Sequence, residues 1–324
     1  TLLGVAPGDD YVVCEIGTNA PGEIAALAGM AAPDVAVITS IGPTHLERLG
    51  SVEGVAVEKA SIVRHLADGG MAVICAGCPP LERALAGCQG KIVRFGEADE
   101  ADLRLTDYRP AGFAQRFQIN GRLWADLPLP GRHNALNALA ATAVAQRLGM
   151  GREEAAAALA DFDGVEMRLA RTECGAVTVI DDTYNANPAS VHAAAGVLAE
   201  CEARRRVLVV GDMRELGGDA ERLHEQTGRR IASDFGGRLA LLVGVGALGR
   251  RLAAAAAAEG LPAEGFDGLD ELRSALPRLL QAGDTVLLKG SRAMAMETLI
   301  EPIRSAFAPG ARRPARAGRG GTKR

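Results

Sequence analysis

Aromatic side chains are scarce in this sequence of 324 residues, at 3%, and only one tryptophan is present. Hydrophobic residues nevertheless make up 48% of the chain, so the cores must be built from Ala, Val, Leu and Ile. This length and apolar content suit two ordinary domains, each with its own core. The 40 glycines favour a fold with many tight turns between strands and helices.

Long apolar runs are also absent, which excludes a transmembrane helix, and no signal peptide is recognisable. A net charge of −4 and a pI of about 5.8 exclude a basic nucleic-acid-binding body. The exception is residues 309–324, whose Arg, Gly and Pro predict a disordered basic tail. Because the chain begins at Thr1, within a pattern that already indicates structure, we expect it to be truncated at the N-terminus.

Cysteines are few and scattered, which favours a reduced cytoplasmic protein without a disulfide framework. They are Cys14, Cys75, Cys78, Cys88, Cys174 and Cys201. Cys75 and Cys78 form a C-x-x-C pattern, which can be a redox motif at a helix start. A zinc site would need a second pair or histidines, and none is near in the sequence, so we interpret this single motif as incidental.

Short β-branched runs alternate with Ala-rich helical stretches, which predicts an α/β fold with parallel sheets. In the first half, strands are predicted at 11–16, 35–39 and 71–75, and helices at 22–30, 52–66, 134–148 and 153–160. Residues 102–127 alternate polar and apolar side chains around Asn120-Gly121, which predicts an antiparallel hairpin.

A second alternating series predicts another doubly wound unit, of the Rossmann-like type. Its strands are predicted at 177–180, 206–210, 239–243 and 285–288, and its helices at 189–203, 220–233, 247–259 and 269–281. The polar stretch before Val165 marks the domain boundary. We therefore expect domains at 1–165 and 166–308, followed by the tail at 309–324.

Three side chains in the first domain lie near predicted strand ends. Glu15 ends the first strand, His45 follows the second, and Lys59 lies on a helix fourteen positions further on. Open α/β sheets bind ligands at that edge, and an acid with an imidazole there could share a divalent cation. Each residue alone could equally be an ordinary polar group on the surface.

Residues 180–190 place two acids, three asparagine or proline side chains and a tyrosine after a strand. A turn and a helix cap explain Asn187 and Pro188. They do not explain Asp181 and Asp182, since unpaired charge at a buried strand end is costly.

Residues 244–249 match G-x-G-x-x-G between a strand and a helix, which is typical of dinucleotide binding. The motif follows the third strand of its domain rather than the first, and an Ala-rich helix behind it needs glycines simply for close packing. We favour the packing interpretation. No G-x-x-x-x-G-K-[ST] motif, which would cradle phosphates, occurs in the sequence.

Taken together, ordered blocks along the chain resemble the Mur ligase family. They are residues 15–24, 38–47, 50–56, 58–59, 131–137, 167–168, 181–188, 211–217 and 289–292. Family members have a UDP-sugar domain, a central ATPase domain with a P-loop, and a Rossmann-like last domain. The resemblance implies a central domain without its P-loop, followed by the last domain.

The Tyr-Asn-Ala-Asn-Pro block at 184–188 resembles the member that adds D-alanyl-D-alanine to UDP-N-acetylmuramoyl-tripeptide. That implies an ATP-dependent amide ligase of peptidoglycan precursor synthesis, working through an acyl phosphate. It also implies ATP and Mg²⁺ as cofactors, a monomer, and no nucleic acid or membrane partner. Without a P-loop, we expect the 324 residues alone to be inactive.

The resemblance also assigns roles to individual residues. Glu15, His45 and a carbamylated Lys59 would hold magnesium, and Lys59, His45 and Lys289 would be catalytic. The nucleotide contacts would be Asn134, Asn137, Arg168, Asp182, Tyr184 and Asn187. Substrate contacts would be Asn19, Ser291 and Arg292.

Two features depart from the family pattern. Cys75 to Cys78 stand where relatives carry an Asn-x-Asp-like turn, and the basic tail has no counterpart. Three alternatives remain open: another Mur-type amino-acid ligase, a nicotinamide-dependent oxidoreductase using Gly244 to Gly249, and a non-catalytic binding module.

Overall fold

The structure is a computed structural model that describes residues 2–308, so the predicted tail at 309–324 lies outside the described residues. The chain divides into two compact units. The first runs to Phe162 and includes the short segment Glu215–Gly218, and the second comprises the remainder from Asp163.

The first unit is a six-stranded sheet with the order β1-β2-β3-β4-β5-β6. Its strands are β1 (Val35–Ile38), β2 (Met71–Cys75), β3 (Lys91–Gly96), β4 (Leu103–Ala111), β5 (Ala114–Ile119) and β6 (Leu123–Leu127). Its helices are α1 (Glu23–Ala31), α2 (Leu46–Leu49), α3 (Val52–Ala60), α4 (Pro79–Ala84), α5 (Arg132–Arg147) and α6 (Arg152–Ala158). The pairs from β1 to β4 are parallel and those from β4 to β6 are antiparallel.

The antiparallel part confirms the hairpin predicted from Asn120-Gly121. These two residues connect β5 to β6 with φ values of 53° and 68°, in the left-handed region that a tight hairpin turn needs. The Asn120 side chain also donates to the backbone of Asp102 at 2.9 Å and accepts from Arg104 N–H at 2.6 Å. The turn is thereby tied to the start of β4.

The strand predicted at 11–16 does not form, and this prediction was wrong. Among the described residues no strand pairs with the outer side of β1, so the backbone of 11–16 has no hydrogen-bonding neighbour. Its apolar side chains also find no core, since Tyr11 is 65% exposed and Val13 is 89% exposed. An apolar run predicts a strand only where a partner strand and a covering layer exist.

Helix α5 covers one face of the first sheet, where Leu139 and its alanine neighbours pack on Phe95 and Phe117. The opposite face buries Ile38 and Ile74, which share a core cluster with Ala60 of α3 and Leu81 of α4. Small alanines on the helices let large side chains of the strands fill the space between layers, so few aromatics suffice.

The second unit is a six-stranded sheet with the order β11-β10-β9-β12-β8-β7. Its strands are β7 (Ala170–Cys174), β8 (Val177–Asp182), β9 (Arg205–Gly211), β10 (Leu241–Val245), β11 (Ala263–Phe266) and β12 (Asp284–Lys289). Its helices are α7 (Pro188–Glu200), α8 (Ala220–Phe235), α9 (Gly246–Ala258), α10 (Leu269–Leu279) and α11 (Ile300–Phe307). Only β7 runs antiparallel, and the doubly wound prediction is confirmed.

Strand β12 lies between β8 and β9, so the first two parallel strands of this unit are separated by the last. The core strands are nearly continuous apolar runs because both faces of the sheet are covered. The chain crosses the sheet in one direction from β8 to β11 and then reverses to place β12 between β9 and β8, and the carboxyl ends of neighbouring strands at such a point form a crevice. No helix within residues 2–308 is long and apolar enough to cross a membrane.

Candidate functional site

The carboxyl ends of β8 and β12 lie side by side, since Asp182 is the register partner of Lys289. The Lys289 side chain is 4% exposed, and its ammonium donates to the Asp182 carboxylate at 2.7 Å and to the Asn185 carbonyl at 2.9 Å. A longer contact of 3.4 Å reaches the Asp182 carbonyl. All three ammonium hydrogens therefore face acceptors inside this unit, and Lys289 fixes the turn that follows β8.

The two adjacent acids that end β8 each have their own partner. Burial raises the pKa of Asp182, and the pairing with Lys289 offsets part of that rise. The Asp181 carboxylate accepts from the Thr183 hydroxyl at 2.6 Å and from Thr183 N–H at 3.1 Å. Neither carboxylate is left without a hydrogen-bond partner, which explains why two acids are tolerated at a buried strand end.

Arg168 and Tyr184 form a stacked pair close to the same strand end. The Arg168 guanidinium carbon lies 4.1 Å from the centre of the Tyr184 ring, and the ring is 44% exposed. The residues on either side of Arg168, Met167 and Leu169, have φ values of 60° and 57°. Left-handed backbone costs a residue with a side chain about 1–2 kcal/mol, and such strain concentrates at functional sites.

The loop after β12 is anchored to the loop after β9. The Ser291 hydroxyl accepts from Arg214 N–H at 2.8 Å, and Ser291 N–H donates to the Asp212 carbonyl at 3.2 Å. Ser291 is 5% exposed, whereas the Arg292 guanidinium is largely exposed and pairs with Glu297 at 2.6 Å. Arg292 is thus the cation of this loop that remains accessible.

The predicted cap at Asn187 is present at the start of α7. The Asn187 carboxamide oxygen accepts from Ser190 N–H at 2.9 Å, and the Ser190 hydroxyl accepts from Asn187 N–H at 3.0 Å. Pro188 occupies the first turn, where its missing N–H costs nothing. This reciprocal cap sets the direction in which α7 leaves the β8 turn.

In the first unit, Lys59 lies near the end of α3 with its amine turned toward the end of β1. The amine donates to the Ser40 carbonyl at 3.0 Å. Burial lowers the pKa of Lys59, which increases the fraction of neutral amine. Only the neutral amine can add carbon dioxide to form a carbamate, so the environment suits the modification that the sequence led us to expect.

Glu58, next to Lys59, was not singled out from the sequence. It is 6% exposed, and its carboxylate accepts from Gly22 N–H at 2.8 Å and from Ile24 N–H at 2.9 Å. These donors begin α1, so Glu58 satisfies a helix terminus from another helix. Glu23 binds the preceding turn in the same way, accepting from Asn19 N–H at 2.6 Å.

The predicted magnesium ligands are less completely arranged. Glu15 lies on the exposed segment without regular structure, and the His45 ring nitrogen Nδ1 is 2.7 Å from the Glu215 carboxylate. Residues 2–308 contain no group of three or more His, Cys, Asp or Glu side chains that could hold a metal ion. The described residues therefore show no complete ligand set around Glu15, His45 and Lys59.

Asn134 and Asn137 lie together on the first turns of α5. The Asn137 amide donates to the Asn134 carboxamide oxygen at 3.4 Å, and the Asn134 amide donates to the Pro130 carbonyl at 2.7 Å. Buried Gln115 holds the loop that leads into this helix, donating to the carbonyls of Leu129 at 2.6 Å and Gly131 at 3.1 Å. Both asparagines thus stand on a fixed helix start.

The glycine motif of the second unit surrounds an internal carboxylate. Asp212 accepts from Leu248 N–H at 3.0 Å and from Gly249 N–H at 2.8 Å. A Cβ on Gly246 would lie 2.6 Å from the Asp212 carboxylate, and one on Gly244 would lie 2.0 Å from the Gly249 carbonyl. The N–H groups that a dinucleotide phosphate needs are already occupied by an anion, and the glycines allow close packing, as favoured from the sequence.

The structure brings together Arg168, Asp182, Tyr184, Asn187 and Lys289 around one strand end. Asn134 with Asn137, and Lys59 near Ser40, are positioned separately in the first unit. Sequence reasoning missed Glu58, Asp212 and Gln115 as supports. Their hydrogen-bond partners lie 14 to 37 positions away in the sequence, so no local pattern predicts these contacts.

Comparisons of the sequence and of the structure match this chain to the same group of known proteins. The family model of the Mur ligase middle domain matches residues 1–145, and that of the Mur ligase, glutamate ligase domain matches residues 167–292. The chain is 35% identical to the UDP-N-acetylmuramoyl-tripeptide–D-alanyl-D-alanine ligase of Escherichia coli, covering 94% of this chain and 67% of that protein. It is 32% identical to the Bacillus subtilis protein of the same name, with 94% and 66% covered.

Solved structures give the same result. A crystal structure of MurF from Acinetobacter baumannii superposes with a TM-score of 0.83 at 32% identity, covering 94% of this chain and 66% of that one. MurF from Thermotoga maritima in complex with ADP superposes with a TM-score of 0.77 at 26% identity, covering 92% and 69%. The chain spans 66% and 67% of the length of the two curated relatives.

Proposed function

Since this chain belongs to the Mur ligase family, we propose that it carries the middle and C-terminal domains of an ATP-dependent ligase that joins D-alanyl-D-alanine to UDP-N-acetylmuramoyl-tripeptide. The observation that carries the proposal is the 35% identity to the Escherichia coli protein of that name over 94% of this chain. We further propose that the protein is cytoplasmic and monomeric, and that it acts in peptidoglycan precursor synthesis.

The proposed reaction has two steps. The terminal phosphoryl group of ATP passes to the tripeptide carboxylate, which gives an acyl phosphate and ADP. The amine of D-alanyl-D-alanine then attacks the acyl carbon, loses a proton, and expels inorganic phosphate from a tetrahedral intermediate. Both steps gather negative charge, so fixed cations and hydrogen-bond donors are required around the reacting groups.

In the second unit, the accessible groups are the ones we assign to direct contacts. Arg168 stacked on Tyr184, together with Asn187, would meet the nucleotide, and Arg292 would meet the dipeptide or the acyl phosphate. Asp182 and Lys289 are bonded to each other, and the Ser291 hydroxyl is engaged by Arg214 N–H. We therefore assign these three a positioning role in addition to the contacts expected from the sequence.

In the first unit, Asn134 and Asn137 would contact the nucleotide, and Asn19 would contact the substrate. Lys59 would carry a carbamate, whose formation from the neutral amine and carbon dioxide releases one proton. Glu15, His45 and that carbamate would be the groups on this chain nearest to a magnesium ion. When bound, magnesium neutralises phosphate charge, and the described residues alone do not complete its ligand set.

The test is product formation by the longest natural open reading frame that contains these residues. With ATP, UDP-N-acetylmuramoyl-tripeptide and D-alanyl-D-alanine, we expect stoichiometric ADP, phosphate and a product heavier by the dipeptide less one water. A product formed with a single amino acid but not with the dipeptide would assign another Mur-type ligase instead. The 324 residues alone, which contain no phosphate-cradling motif, should release no ADP.

A further inference from the structure

The turn from Cys75 to Cys78 joins the end of β2 to the start of α4. Cys75 is the last residue of the strand, and Cys78 directly precedes the helix, where its carbonyl accepts from Leu81 and Glu82 N–H at 3.0 Å each. Gly77 between them has a φ of 68°, in the left-handed region that favours glycine. Only two residues separate the cysteines, so this tight turn keeps both at the same end of β2, and both pack on the same core cluster.

The residues around this turn favour dithiol–disulfide chemistry over metal binding. Both cysteines are partly exposed and both pack on the core beneath α4. Within residues 2–308 no third or fourth side chain joins them in a group that could hold a metal ion, whereas structural zinc takes four ligands. A strand end followed by C-x-x-C and a helix start is also the placement found in dithiol–disulfide enzymes.

The two thiols differ in their environment. Burial, together with the neighbouring Cys78, raises the pKa of the Cys75 thiol to about 11. Cys75 ends β2, whose other residues are all buried, whereas Cys78 follows exposed Gly77 in the turn, so we assign the first attack to Cys78. A pair made of an outer attacking thiol and an inner resolving thiol can close on itself.

We propose that Cys75 and Cys78 form a reversible redox modification site that closes to a disulfide on reaction with a small-molecule disulfide. The Cys78 thiolate attacks one sulfur of the reagent and expels one small thiolate, leaving a mixed disulfide on Cys78. Cys75 then loses its proton and attacks the Cys78 sulfur, which expels the second small thiolate. Two protein thiols are oxidised, one reagent disulfide is reduced, and the two protons end on the released thiols.

The site lies beside Lys59. Helix α3, which carries Lys59, packs against α4, which begins directly after Cys78. Closure of the ring changes the turn that leads into α4, and the packing of α4 on α3 carries this change to the predicted catalytic lysine. This consequence for Lys59 rests on the proposed function, whereas the redox site itself does not.

The experiment uses the full chain, reduced and then incubated with glutathione disulfide, quenched by alkylation and mapped by peptide mass spectrometry. We expect Cys75 and Cys78 to lose two hydrogens together and to escape alkylation, with recovery after reduction. Cys88 is also a partly exposed free cysteine and serves as the internal control, which should form only a glutathione adduct.

Two variants separate the roles of the thiols. Cys75→Ser should trap the glutathione adduct on Cys78, and Cys78→Ser should leave Cys75 unmodified over the same time. Accumulation of a stable adduct on Cys78 in the parent chain, or closure of the pair no faster than adduct formation on Cys88, would overturn the proposal. Because no outcome depends on ligase activity, failure of this proposal and failure of the proposed function are distinguishable.

Discussion

The two units hold their polar groups in different ways. In the second unit the charges at the ends of β8 and β12 are bonded to one another, and Lys289 has an acceptor for each of its hydrogens. In the first unit Lys59 makes one bond, to the Ser40 carbonyl, and the segment that carries Glu15 is exposed. The polar groups of the second unit are bonded to each other within that unit. Those of the first unit can still form further hydrogen bonds.

We expect the two arrangements to affect different properties, stability in the second unit and reactivity in the first. A buried ion pair with all its hydrogen bonds made resists change, and removing one partner leaves the other charge buried without compensation. A partly buried amine with one bond can be removed at little structural cost, yet it is free to react. The second unit should therefore respond to substitution through its stability, and the first through its chemistry.

The largest effect is expected from Lys289→Met, which would leave Asp182 buried and unpaired. The free energy of unfolding of the second unit should fall by about 3–5 kcal/mol. Hydrogen exchange of β8 and β12 amides with increasing denaturant measures this loss, and the exposed Arg222→Met is the matched control, with nearly unchanged exchange. Adding Asp182→Leu should restore much of the stability; no recovery in the double variant would mean that the pair is not what Lys289 contributes.

The next effect concerns chemistry rather than stability. Lys59→Ala in the longest natural form should lower kcat by about a hundredfold or more, or about 2.7 kcal/mol in the barrier, because the carbamate is lost. The unfolding of the first unit should barely change. Lys91→Ala, at an exposed position on β3, is the control.

A short-chain carboxylic acid should partly rescue the Lys59→Ala variant by standing in for the carbamate. Parent-like rates in that variant would remove the carbamate from the proposal. If Lys59→Ala instead caused a large loss of stability, the proposed difference between the two units would be wrong.

Glu58→Ala tests whether the first unit also contains a fully bonded support. The variant leaves the N–H groups of Gly22 and Ile24 without their acceptor, so unfolding of this unit should become easier by about 1–3 kcal/mol. Protection of those two amides against exchange should be lost first. Glu53→Ala, on the exposed side of the same helix, should leave the protection of these amides intact.

The smallest effect is a pH dependence of the second unit. His224 is fully buried; its Nδ1–H donates to the Ala220 carbonyl at 2.7 Å and its Nε2 accepts from Met213 N–H at 2.8 Å. Burial lowers the pKa of His224 below its ordinary 6.5, because the charged ring would be removed from water, although the Ala220 carbonyl and Asp212 offset part of this effect. The stabilisation is therefore complete above the unfolded pKa and declines as pH falls below it, by at most about 1.4 kcal/mol per pH unit.

Denaturant titrations between pH 7.5 and 5 measure that decline, and His224→Gln should flatten it within this unit. The stability of the first unit should have no pH dependence that arises from His224. An unchanged slope in the variant would assign the pH dependence to other groups.

The fold was largely predictable from the sequence because helix and strand periodicities are local. The hairpin at Asn120-Gly121 and the strands from β8 to β10 and β12 were predicted close to their observed positions. The strand at 11–16 was not, since the same apolar run needs a partner that periodicity cannot reveal. The sheet edges β7 and β11 were missed because they are short and less apolar.

The candidate site was predictable only as far as its residue types. The turn and cap at Asn187 follow from local chemistry, and both were observed. The bond between Lys289 and Asp182 joins residues 107 positions apart, and that between Glu58 and Gly22 joins residues 36 apart. Such pairs follow from sheet register and helix packing, which exist only once the chain has folded.

Asp212 has a consequence for how this domain could change over many generations. Its carboxylate and the glycines at 244, 246 and 249 depend on each other, since a Cβ at Gly246 would lie 2.6 Å from Asp212. A mutation that enlarges Gly246 would meet Asp212 and would also be strained, because φ at this position is 89°. A mutation that shortens Asp212 releases the N–H groups of Leu248 and Gly249, which are the donors that a phosphate seeks. A single substitution at position 212 would thus leave two N–H donors of this helix start without their internal acceptor.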